Sequence, residues 1–116
     1  MARRYHVIAG VLIVLGGLGF VLPTPLFGVF EVTPLLNVVH LAAGVLAGAA
    51  ATRGLGTMRA WGQILGYVFA ALAVAGFATD ADAVANLLPL STRNAWFHLA
   101  MALVFLYHAL LAPPTL

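Results

Sequence analysis

Two short stretches hold the side chains of this sequence that could do chemistry. They are Leu36-Asn37-Val38-Val39-His40-Leu41-Ala42 and Arg93-Asn94-Ala95-Trp96-Phe97-His98-Leu99-Ala100. Each sets an Asn and a His in an otherwise apolar run. Asn37 and His40 stand i,i+3, and Asn94 and His98 stand i,i+4. Either interval stacks the two side chains on one helical face. A neutral imidazole can pass a proton, ligate a metal or hydrogen-bond to a neighbouring helix. Two of them at equal depth, His40 and His98, could hold a tetrapyrrole, either a bis-His haem or a chlorophyll-type magnesium. Gly44 and Ala102 lie one turn further on and leave flat space beside each ring. The plainer reading is a structural polar network of Asn37, His40, Asn94 and His98. In it each His bonds an Asn or a backbone carbonyl of the other half. We expect the network, because polar side chains between apolar helices commonly serve as glue. His6 and His108 could form a second pair near the other end. They have no Asn companions and no matching positions, so they are expected to be interfacial.

The elements that position these residues follow from composition. The chain has 116 residues, is 64% hydrophobic and only 7% charged. Its mean hydropathy is +1.10. Soluble domains carry about 25% charged residues. Too few charged groups remain to cover a water-facing surface, so the class is integral membrane. A net charge of +2 is too small for a nucleic-acid footprint. Cysteine is absent, which excludes disulfides, thiolate metal sites and Cys nucleophiles. No Ser-His-Asp set, phosphate loop or metal-ligand spacing occurs, so no catalytic residue, no metal site and no enzyme activity are expected.

A span needs about 20 apolar residues. Four are predicted, at roughly Tyr5–Leu22, Leu35–Thr52, Arg59–Ala78 and Thr92–Ala112. Thr33 should cap the second, with Pro34 at its first position. Ser91 or Thr92 should cap the fourth. Arg3-Arg4 before an apolar run imitates a signal peptide, but no small-x-small cleavage site follows, so a retained helix is expected. Tyr5, Trp61 and Trp96 suit aromatic belts. The apolar stretch from Pro23 to Glu31 should lie in the interface, and Asp80 to Leu88 should form a short surface helix.

The chain also repeats itself. Arg3 to Leu12 matches Arg59 to Val68, Leu18-Gly19-Phe20 matches Ala75-Gly76-Phe77, and Asn37 to Ala42 matches Asn94 to Ala100. Residues 1–116 therefore form a single transmembrane domain of two helical hairpins, about 3–53 and about 59–112. Each hairpin has an even number of spans, so the copies run parallel. His40 and His98 then share a depth near the outer face. Arg3, Arg4, Arg53 and Arg59 fall on one side, while Glu31, Asp80 and Asp82 fall on the other with Arg93. Both termini are expected in the cytoplasm. Glycine pairs mark close helix contacts: Gly44 with Gly48, Gly62 with Gly66, and Gly10 with Gly17. The expected fold class is an all-α membrane protein, a tight four-helix bundle.

The runs Phe27 to Val45 and Ala85 to Ala100 resemble a bacterial four-helix integral-membrane family catalogued as a domain of unknown function. The doubled Asn-His signature and Gly19-Phe20 carry the resemblance, which covers nearly the whole chain. It implies the fold and a bacterial cytoplasmic (inner) membrane location, and it supplies no activity. The function expected from the sequence is an accessory or structural subunit. It would have the lipid bilayer and other membrane-protein subunits as partners, in a photosynthetic or respiratory type of complex. No cofactor is expected; the alternative is a small tetrapyrrole-binding bundle that uses His40 and His98.

Overall fold

A computed structural model describes residues 1–22, 33–78 and 92–114. Four helices follow one another: α1 (Ala2–Val21), α2 (Pro34–Ala51), α3 (Leu55–Ala78) and α4 (Thr92–Leu106). A π-helical segment, Tyr107–Leu111, continues α4, and Ala112 N–H donates to the Tyr107 carbonyl at 2.9 Å. All four helical spans are long and apolar enough to cross a membrane. The stretch from Pro23 to Glu31, the surface helix expected before Pro89, the cap Ser91 and the three acidic residues lie outside the described residues.

Local chemistry sets the helix ends. Thr33 caps α2 through its hydroxyl, which accepts from Leu36 N–H at 3.2 Å, and Pro34 occupies the first turn. The turn into α3 needs Gly54, whose φ of 98° is a left-handed conformation that side chains disfavour. α3 begins at Leu55 rather than near Arg59. Leu55-Gly56-Thr57-Met58 holds no proline, so the helix starts as soon as Gly54 has turned the chain. Spanning length is a lower bound on helix length, and Arg59 ends up on a helix instead of beside a loop.

α1 packs along α2 and α3 along α4, with α2 lying against α3 between the two hairpins. Glycine lets the backbones approach. A Cβ on Gly44 would come within 2.9 Å of the Ala9 carbonyl oxygen, and one on Gly16 would meet Leu41. On α3, Gly66 faces Leu106 in the same way. Gly48 is looser, at an ordinary 3.5 Å from Ala9. Gly10 and Gly17 do not make helix contacts, since a Cβ on either would have nothing within 4 Å. Their seven-residue spacing lines up a face that turns away from α2, and Gly16 and Gly19 take the contact instead. The centre of the bundle is filled by Tyr5, Leu12, Phe69 and Phe105. Phe69 and Phe105 stack with centroids 6.0 Å apart and planes 7° apart.

Candidate functional site: a buried histidine pair

Asn37 and His40 sit in the first two turns of α2, and Asn94 and His98 sit in the first two turns of α4. All four side chains are buried, His98 completely. The histidines therefore lie six residues into their helices, about 9 Å by helical rise. They meet each other directly, with Nε2 to Nε2 at 3.4 Å. The ring centroids are 5.7 Å apart, a separation larger than the Nε2 contact by about two ring radii. The rings thus face each other nose to nose across the two hairpins.

Only one proton can sit in that contact. One imidazole carries its hydrogen on Nε2 and donates; the other presents a bare Nε2 and carries its hydrogen on Nδ1. The bond is made between the histidines themselves, not between a histidine and an asparagine. Both Nδ1 atoms are buried with no hydrogen-bond partner, and so is Oδ1 of Asn37. Asn37 is held in place by Gly19 of α1, where any side chain would collide with its carboxamide. The repeat sets Asn94 in register with Gly76, which is also buried.

Aromatic rings enclose the pair. Phe69 of α3 lies 6.4 Å from His40 and 5.7 Å from His98, centroid to centroid. Phe97 of α4 stands edge-on to His40 at 5.6 Å. Among the described residues, these rings make an apolar wall around the pair. Among the described residues, no group of three His, Cys, Asp or Glu side chains gathers around one point.

A second polar cluster ties the far end of the bundle. Tyr5 of α1 is fully buried rather than in an aromatic belt, and its hydroxyl donates to the Met58 carbonyl at 2.8 Å. His108 turns inward, its Nδ1 donating to the Val104 carbonyl at 2.8 Å. That leaves Nε2 to accept from Arg4 at 3.5 Å. Arg59 reaches from α3 to the carbonyls of Ala109 and Ala112, at 3.4 and 2.9 Å. These carbonyls end a helix and lack helical partners, and a cation there also meets the negative end of the helix dipole. His6 is exposed, so no His6–His108 pair forms. Sequence reasoning missed this cluster. Its one available signal was that Arg4, Tyr5, Arg59 and His108 all fall at the same end of the hairpins. Trp96 does stand exposed near the other end, edge-on to Phe77 at 5.1 Å.

Two hairpins of apolar helices, closed at one end by a His pair and at the other by Arg, Tyr and His contacts, define a small multi-pass membrane bundle. The chain belongs to the family described as domain of unknown function DUF4383, whose family model matches residues 3–111. Searches of curated proteins and of solved structures returned no match.

Proposed function

We propose that this chain is a small accessory subunit of a bacterial cytoplasmic membrane, packing within a larger membrane-protein assembly. One observation carries the reading: the helices bury Asn37, His40, Asn94, His98 and His108 and leave a broad apolar surface on their outer faces. Val7, Val14, Val45, Val74 and Leu103 are all exposed on those faces. A bundle of this kind offers apolar helix surface to a neighbour and little else. Arg4 and Arg59 share one end of the bundle, which supports placing both termini in the cytoplasm.

The tetrapyrrole reading has less support. A macrocycle between His40 and His98 would need an opening wide enough for its plane, and Phe69 and Phe97 stand against both imidazoles. Extraction in a mild detergent followed by sizing tests the proposal. A defined complex with co-purifying membrane chains is the expected result. A monodisperse monomer with no co-purifying chain would overturn it. A Soret band that disappears in a His40→Ala, His98→Ala double variant would favour the tetrapyrrole instead.

A further inference from the structure

The His40–His98 contact leaves an unbalanced set of groups. In the hydrogen-bonded form, one Nδ1 bears a proton and the other a lone pair, and both are buried without partners. Asn37 Oδ1, a pure acceptor buried one turn away on α2, has none either. A Lewis acid placed between the two Nε2 atoms would make the two rings alike. Both Nε2 atoms then offer lone pairs, and the proton of the donor ring moves to its own Nδ1. No proton is lost overall. Both Nδ1 atoms then carry the hydrogen, the tautomer in which a neutral histidine ligates through Nε2.

The geometry and the surroundings select the ion. Rings set nose to nose are arranged for a linear, two-coordinate ion. Two metal–imidazole bonds of about 2.0 Å would set the Nε2 atoms roughly 4 Å apart. The observed 3.4 Å needs only a small outward rotation of two side chains, without the slot a macrocycle demands. Among the described residues, no third His, Cys, Asp or Glu side chain joins the pair. Among the described residues, the rings against the pair are aromatic and uncharged. The cost of burying an ion there rises with the square of its charge, so a divalent ion with two neutral ligands is disfavoured. Phe69 and Phe97 give a single positive charge nearby aromatic rings. Imidazole is a good copper ligand.

We propose that His40 and His98 form a buried, linear, two-coordinate site for a monovalent d10 cation, copper(I). The helix starts that carry the two histidines put the site nearer the end of the bundle opposite Arg4 and Arg59.

Silver(I), a redox-inert stand-in, can be titrated into the purified full chain in chloride-free detergent buffer and counted by native mass spectrometry. One tightly held ion per chain is expected. His40→Leu and His98→Leu should each weaken it at least about tenfold, the scale of disturbed metal shells. His108→Leu should keep it. Exposed His6 and the thioethers of Met1, Met58 and Met101 contribute only a weak background common to all variants. If either variant fails to fold, X-ray absorption on the wild-type chain loaded anaerobically with copper(I) decides. Two nitrogens at one short distance, with no further ligand, support the site. Three or more ligands, zinc bound in preference to copper(I), no uptake by the wild-type chain, or unchanged uptake in both variants would overturn it.

Discussion

Gly19 of α1 lies against the side chain of Asn37 on α2 so closely that a methyl group at position 19 would occupy the space of the carboxamide. The glycine therefore fixes where the asparagine sits, one turn below His40. Gly19→Ala should destabilise the bundle by about 1–3 kcal/mol, the usual range for overpacking. Gly10→Ala, with open space around it, should cost nothing and could add a few tenths through better helix propensity. Thermal unfolding in detergent checks both, and equal melting points for the two variants would contradict the packing described.

A similar contrast exists within α2. Gly44→Ala would push a methyl into the Ala9 backbone, whereas Gly48→Ala would make an ordinary contact. The first is expected to lose about 1–3 kcal/mol and the second close to none. Comparable losses at both positions would mean that α1 and α2 cross elsewhere.

At the other end, Tyr5→Phe removes the hydroxyl that donates to Met58 and should cost about 0.5–1.5 kcal/mol. Gly62→Ala should cost more, because its methyl would strike that same hydroxyl. In the double variant the hydroxyl is gone, so the two losses should sum to less than their separate values. Strict additivity in a double-mutant cycle would show that the two residues do not touch.

Arg59→Gln should loosen the π-helical segment without unfolding the bundle. It removes donors to the Ala109 and Ala112 carbonyls and a cation at a helix C-terminus, an effect on the order of 1 kcal/mol. Faster hydrogen exchange confined to the amide of Ala112 and its neighbours is the expected signature. Acceleration spread evenly over all four helices would point to a global effect.

For the histidines, His40→Leu and His98→Leu should each lower stability, and the double variant should lose less than the sum. Hydrogen bonds between membrane helices average about 0.6 kcal/mol, so the coupling will be modest. Each single variant also leaves its partner buried without a bond, which adds to the single losses and not to the double. Full additivity would mean that the rings never meet.

The parts of this molecule legible in the sequence are those set by length and by local backbone chemistry. Four apolar runs give four helices, and Thr33-Pro34 places the start of α2. The doubled Asn-His stretch marks the buried polar site. What the sequence hid is which way each helix faces. In a span apolar on every side, no amphipathic stripe separates a buried position from a lipid-facing one, so Gly10 and Gly17 look as useful as Gly16 and Gly19. Tyr5 has an amphipathic ring that reads as a belt residue, and only the presence of Met58 across α1 and α3 makes it a core donor. The shared faces point each histidine at an asparagine or a carbonyl of the other hairpin, and the group that meets His40 from there is His98 itself. The π-helical segment has no sequence signature.

The two halves are no longer interchangeable. Three residues separate Asn37 from His40 and four separate Asn94 from His98. At about 100° per residue, that extra residue swings the asparagine to the opposite flank of its histidine. A protein assembled from two identical first hairpins, or two identical second ones, would put both asparagines on the same flank and build a different pocket. A duplication that began with equal copies would thus have become a division of labour, and neither half could be traded for the other without dismantling the centre.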